Sequence, residues 1–361
     1  MIQARSARYN IELGNFLKAF EHDMYEIKGV GHLAKWFGPT PVIMKCRNQR
    51  ARAILIERKW NSLKQPVQLQ LDCSRFDAHC SEQLLAVEHL VYVNSVHKPY
   101  RRFLSQLLSY QLTNKCYTKD GLKYTCPGRR MSGDMNTALG NCVLMILMLV
   151  DALKQMHVPV SDYQLADDGD DCSLFVEKKW ENHVTRFLPH VFLTYGHELK
   201  VEGVVRELHE VKLCANGLVT VGDLKMMVLN PRRAIGKSGV ITRLTYCRLK
   251  SDHPAVKRQL ATIGQCLLAI HSGVPVLQSH ALYLMKLSRA RLKFLPGTYT
   301  YRLAHLGYDK VMACERAVIT LAARQSFADA FGIDIHQQLF YEHLYEKNPN
   351  DMFRSMYSNE Y

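Results

Sequence analysis

Tyr163-Gln164-Leu165-Ala166-Asp167-Asp168-Gly169-Asp170-Asp171-Cys172-Ser173-Leu174-Phe175-Val176 places four aspartates between two apolar runs. Tyr163 to Ala166 and Cys172 to Val176 have strand length and composition, so the segment reads as a β-hairpin with an acidic tip. Alone, Gly169-Asp170-Asp171 reads more readily as a solvated turn. A calcium loop is excluded, because the D-x-D-x-D-G pattern puts Gln164 at its first ligand position. Like charges packed together are costly unless cations neutralise them. The tip therefore gains meaning from carboxylates elsewhere that could meet it.

Two earlier stretches supply them in a fixed order. Val67, Leu69 and Leu71 alternate with Gln68 and Gln70, the pattern of a half-buried strand that ends in Asp72-Cys73-Ser74-Arg75-Phe76-Asp77. Ser132-Gly133-Asp134-Met135-Asn136-Thr137-Ala138-Leu139-Gly140-Asn141 follows a cationic, loop-like region spanning 113–133 and opens a helix from about Asp134 to Met156. Phosphoryl transfer to a hydroxyl benefits from two metal ions about 3.5–4 Å apart. Magnesium takes hard oxygen ligands, a few carboxylates plus substrate phosphates. Asp72 and Asp170, with Asp171 beside them, would meet that need. Thr137 and Asn141 are four apart and share a helix face. Asp77 and Asn141 could then form a polar pair that senses a ribose 2′-hydroxyl.

The remaining sequence narrows the classes. Lysine and arginine number 47 against 33 acidic residues, a formal net charge of +14, which favours a polyanionic partner. None of the 11 cysteines forms C-x-x-C, so a zinc ribbon or redox motif is excluded and small buried thiols are expected. No secretory signal opens the chain. The longest apolar run, Cys142 to Val150, falls short of the roughly 20 residues that span a bilayer, so no transmembrane segment is expected. Gly236-Lys237-Ser238 lacks the glycine a phosphate loop needs, having Pro231 there. His197-Glu198 and His209-Glu210 have Val201 and Leu213 where a zinc protease has its second histidine. Helical patterning runs from Tyr9 to Glu26, and Ser81 is a fitting N-cap for the helix that follows. Val211–Leu213 and Leu224–Leu229 read as an antiparallel pair, and the chain from Pro231 reads as mostly helical. The tail from Tyr341 to Tyr361 reads as loosely held.

The three stretches resemble motifs A, B and C of positive-strand RNA virus polymerases, with tombusvirus-like enzymes the nearest likeness. Ile2-Gln3-Ala4-Arg5-Ser6-Ala7-Arg8-Tyr9-Asn10 is similar to the end of the basic motif F. Val211-Lys212-Leu213-Cys214 with Asn230-Pro231-Arg232 resembles the primer-gripping strand pair. Gly273-Val274-Pro275-Val276-Leu277-Gln278 resembles part of the thumb.

That resemblance implies an α+β right-hand polymerase with an antiparallel palm sheet, partial fingers and a helical thumb. Partial fingers would occupy 1–66, palm 67–84, a fingers insertion 85–126, palm again 127–229, and thumb with tail 230–361. By matching positions, Asp72, Asp170 and Asp171 would hold magnesium (or manganese in its place), and Lys200 would be the general acid for pyrophosphate. Asp77 and Asn141, with Ser132, Gly133 and Thr137, would select the ribose, and Arg5 and Arg8 would meet the triphosphate. The implied partners are RNA template, nascent RNA, nucleoside triphosphates and viral replication proteins. The implied site is the host cytoplasm, at membrane-associated replication sites reached through other segments or partners. The likeness to motif F begins at Met1 and much of the fingers is missing, so the chain is expected to be a piece of a longer protein. A rival class is a non-catalytic, basic RNA-binding replication scaffold of the same fold, with Arg101, Arg102, Arg129 and Arg130 as phosphate contacts.

Overall fold

The computed structural model describes residues 5–118, 120–238, 253–288 and 315–347. Ile2–Ala4, and the tail beyond residue 347, lie outside these residues. The chain gathers into two compact units. One holds residues up to Lys45 together with Leu55–Arg206; the other holds Cys46–Ile54 and the residues from Glu207 onward.

The first unit is built on four antiparallel strands: β1 (Pro66–Cys73), β4 (Tyr163–Asp167), β5 (Asp171–Glu177) and β6 (Leu199–Val205), in the order β4-β5-β1-β6. A separate hairpin pairs β2 (Thr113–Tyr117) with β3 (Lys123–Pro127). The α-helices before β6 are α1 (Ala7–Tyr25), α2 (Gln49–Asn61), α3 (Phe76–His79), α4 (Glu82–Ser95), α5 (Lys98–Ser109), α6 (Thr137–Gln155) and α7 (Glu181–Thr194), of which α2 is divided between the units at Leu55.

Val67, Leu69 and Leu71 on β1, with Leu174 on β5 and Leu165 on β4, face a continuous core shared with α6 and α7. Burying one such leucine contributes about 1.5–3 kcal/mol. Twelve of the 19 residues of α6 are buried, which explains why its sequence is apolar nearly all round. Among the described residues α6 is the one helix long and apolar enough to cross a membrane, yet 67% of its apolar window is buried inside the fold. It packs on α4, α7 and β4 as a core helix.

Three details depart from the sequence reading. First, β1 is not half-buried along its length. Gln68 is fully enclosed, donating from Nε2 to Ser173 Oγ (2.6 Å), while Trp60 packs edge-on to Phe175 on the neighbouring strand. Burial on that face relaxes towards Asp72, which is partly exposed. Second, residues 113–127 form a hairpin rather than a loop. Its inward positions on β2 are Asn114 and Cys116, too small and polar to signal a strand by hydrophobic alternation. Third, Val211–Leu213 and Leu224–Leu229 do not pair with each other.

In the second unit β7 (Lys212–Leu213) and β9 (Leu224–Leu229) flank β8 (Asn216–Val221), which pairs antiparallel with both. The helix α8 (Pro231–Ser238) follows, with Asn230 Oδ1 accepting from the Arg232 and Arg233 amides at its start. Then come α9 (Pro254–His271), α10 (Leu277–Lys286), α11 (Leu321–Phe331) and α12 (Ile335–Lys347). Val219, Val228, Leu260, Val274 and Phe327 share this unit's core.

Candidate active site

Antiparallel pairing on both sides of β1 places Asp72 opposite Asp171 on β5 and opposite Lys200 on β6. Directly paired residues point to one face of a sheet, so Asp171, Asp72 and Lys200 form a row across three strands. The hairpin closes through the Asp168 amide, which donates to the Asp171 carbonyl (2.9 Å). Gly169 at its tip has φ +104°, a conformation side chains resist. The carboxylates of Asp72 and Asp170 both bear on Cys73, whose thiol is pushed up to about 12 by burial and then by those two charges. The register itself brings the strand end to the base of the hairpin tip.

The other two aspartates of the hairpin are handled internally. Lys45 Nζ donates to the Asp168 carbonyl (2.7 Å) and to its Oδ1 (2.9 Å). Burial would lower the Lys45 pKa, but the Asp168 carboxylate and neighbouring groups hold it above its ordinary value. Asp167 is fully buried, and desolvation pushes its carboxyl well above the usual range. The segment Val42–Met44 docks beside it: the Asp167 amide donates to Val42 O (2.9 Å) and the Met44 amide to Asp167 O (2.7 Å). Asp72, Asp170 and Asp171 stand at the solvent-facing end.

A second cluster joins the second turn of α6 and the loop before it to the short helix α3 after β1. Asn141 Nδ2 donates to Asp77 Oδ1 (2.9 Å), and Ser132 Oγ donates to Asp77 Oδ2 (2.7 Å). Behind them Arg130 Nε donates to Asn141 Oδ1 (3.0 Å). The Arg130 guanidinium forms a forked pair with the Glu88 carboxylate, and both side chains are fully enclosed. Tyr92 OH (2.7 Å) and Asn136 Nδ2 (2.8 Å) also donate to Glu88. Gly140 makes room for this pair, since a Cβ there would overlap both the Glu88 carboxylate and the Arg130 guanidinium. Arg130 is therefore not the surface phosphate contact that its position in a cationic loop suggested.

The other candidate residues are dispersed. Thr137 Oγ1 donates to the carbonyls of Asp134 (2.9 Å) and Met131 (3.1 Å), bracing the loop that carries Ser132 and Gly133. Arg5 Nε pairs with Asp134 (2.6 Å), and its guanidinium also reaches Asn114. Arg8 pairs with Glu12 (2.8 Å) on the exposed side of α1. Sequence reasoning missed Lys45 and Glu88, and gave Arg130 a surface role in place of its buried one. Nothing in the spacing of Lys45 or Glu88 points to the acidic stretches, which they meet only through folding.

The donor set fits magnesium. Carboxylates from β1 and the hairpin are hard oxygen ligands, and the adjacent Cys73 thiol is held protonated. Among the described residues no three His, Cys, Asp or Glu side chains cluster in a metal-holding arrangement. A magnesium site here is one in which substrate phosphates complete the shell.

His197, considered above with Glu198, is wholly buried, with its ring 4.7 Å from Phe76 and neither ring nitrogen hydrogen-bonded. Burial, then the proximity of His79, holds it down to about 4. An unfolded histidine titrates near 6.5. Between those values the unfolded chain binds more protons, so the contribution of His197 is complete above pH ~6.5 and declines as pH falls towards 4. His197→Leu is expected to flatten the pH dependence of the urea midpoint between pH 7 and 5. An unchanged slope would show that His197 does not sense pH.

A family model for viral RNA dependent RNA polymerase matches residues 1–350. The chain belongs to that family, in agreement with the resemblance carried by the three stretches. The RNA-directed RNA polymerase of Tobacco necrosis virus (strain A) is 33% identical over 352 residues, covering 95% of this chain and 46% of that protein. That of Tomato bushy stunt virus (strain Cherry) is 33% identical over 362 residues, with 98% and 41% covered. That of Turnip crinkle virus is 35% identical over 312 residues, with 86% and 37% covered. The chain spans less than half the length of these relatives.

Proposed function

We propose that this chain carries the nucleotidyl-transfer centre of an RNA-templated RNA polymerase that replicates a viral genome. The observation that supports this best is the register of Asp72 opposite Asp171, beside a hairpin tip bearing Asp170, in a chain of this family. Asp72 and Asp170 would hold magnesium or manganese, with Asp171 assisting. When bound, such ions supply Lewis-acid polarisation of the attacking hydroxyl and of the leaving phosphate.

The chain's own groups do the rest. The Asp77 carboxylate, an acceptor held by Asn141 and Ser132, would take a hydrogen bond from the ribose 2′-hydroxyl. Thr137 and Gly133 would shape the loop that presents Ser132. Lys200, in the row with Asp72, would give a proton to the departing pyrophosphate. Arg5 and Arg8 would meet the triphosphate by exchanging Asp134 and Glu12 for phosphate oxygens. In the right-hand description the four-stranded sheet is palm, residues 1–66 and 85–126 are fingers, and the chain from 230 is thumb. RNA, nucleoside triphosphates and viral replication proteins are the partners proposed, at membrane-associated sites in the host cytoplasm.

The test is template-directed incorporation of labelled nucleotide with magnesium, run on this chain and on an upstream-extended version. Incorporation that requires both template and metal is expected; its absence from both proteins would remove the proposal. Asp77→Asn is expected to relax rejection of 2′-deoxynucleotides by about tenfold or more, the worth of a hydrogen bond to a charged group. Unchanged discrimination would remove the ribose role of Asp77.

A further inference from the structure

We infer that Arg130 is a positioning residue for sugar selection, acting through Asn141 and anchored by Glu88; this rests on the ribose-selecting reading of Asp77 and Asn141. Hydrogen-bond polarity fixes which way the Asn141 amide turns. Arginine can only donate and a carboxylate can only accept, whereas the asparagine amide can turn either way. The Asn141 atom facing Arg130 Nε (3.0 Å) must therefore be its oxygen, and the NH2 group must face Asp77 (2.9 Å). With the amide reversed, its oxygen would oppose the Asp77 carboxylate and its NH2 would oppose the guanidinium. Both contacts would become repulsive.

The anchor is rigid for identifiable reasons. Arg130 and Glu88 are fully enclosed side chains in a forked pair, and Glu88 is itself held by Tyr92 and Asn136. The forked pair uses the two terminal nitrogens of Arg130, leaving Nε for Asn141. A series of fixed polarity thus runs from the interior to the half-exposed Asp77: Glu88, Arg130, Asn141, Asp77, with the Ser132 hydroxyl donating from the other side. Lysine at position 130 would keep the positive charge beside Glu88. Its three donors sit on one nitrogen, with no Nε set back along the chain, so an ammonium held at Glu88 would lose the fixed contact with the Asn141 amide.

The experiment compares Arg130→Lys, Glu88→Gln, Asp77→Asn and the Arg130→Lys/Asp77→Asn double variant, each checked for folding by circular dichroism. The readouts are the affinity ratio for ATP over 2′-dATP with magnesium on this chain, and the incorporation ratio on the upstream-extended protein. Arg130→Lys is expected to lower the ribose preference about tenfold, the loss of one hydrogen bond to a charged group. Glu88→Gln retains an acceptor for Tyr92 and Asn136, and is expected to shift the ratio in the same direction. In the Asp77→Asn background the Arg130→Lys effect should vanish, which a purely structural role would not produce. A folded Arg130→Lys or Glu88→Gln protein with unchanged preference, alongside an altered Asp77→Asn, would overturn the role of Arg130. Unchanged preference in Asp77→Asn itself would overturn the ribose reading on which it rests.

Discussion

Replacing Asp170 with asparagine is expected to lower template-directed incorporation on the order of 10³-fold without weakening RNA binding. The substitution preserves size but replaces one carboxylate oxygen with an NH2 donor and removes a negative charge from the hairpin tip, beside the Asp72–Asp171 pair. Charge stabilisation of this kind is worth several kcal/mol at a phosphoryl centre, and each 1.4 kcal/mol is about a factor of ten in rate. Affinity for RNA comes mainly from cations meeting phosphates. Removing an anion should leave that affinity equal or slightly improved. Filter binding at two salt concentrations, beside the incorporation assay, separates the effects. Equal incorporation by wild type and Asp170→Asn would favour the non-catalytic scaffold reading.

Glu88→Ala is expected to destabilise the first unit by about 3–5 kcal/mol, because it leaves the Arg130 guanidinium enclosed without its counter-charge. Burial would lower the Arg130 pKa, but Glu88 overrides this and holds it above its ordinary value. The pair is a mutual dependence rather than a net source of stability. Replacing both partners with apolar residues of similar volume, Glu88→Leu with Arg130→Met, is therefore expected to cost much less than either single change to alanine. Urea midpoints for the three variants test this. A single-variant loss below about 1 kcal/mol would mean that the guanidinium finds water on Glu88 removal, as exposed pairs do.

Legibility in the sequence followed how local the determining interactions are. The hairpin Tyr163–Glu177 was readable because its strands adjoin their turn. The helix Glu82–Ser95 was readable because Ser81 Oγ accepts from the Leu84 amide, a contact three residues long. The meeting of Asp72 with the hairpin was anticipated, since both lie at strand ends. Lys45 reaches Asp168 across 123 residues, and Glu88 meets Arg130 across 42, with no spacing rule connecting them. Arg130 was misread for a related reason. A charged residue in a loop of Gly128, Arg129 and Arg130 looks solvated until its buried partner is known. The middle strand of the second unit's sheet, Asn216–Val221, was overlooked because Asn216, Gly217 and Thr220 dilute its apolar content.

Helix α6 carries Asn141 in its second turn and, about two and three turns on, Leu149 and Leu153 at full burial in the core. The residue assigned to judge the incoming sugar is thus mounted on the beam that supports the fold. A substitution that loosens packing at the far end would tilt the near end, so genetic screens for heat sensitivity and for altered substrate choice should converge on the same helix. Drift at its apolar positions would be constrained twice over.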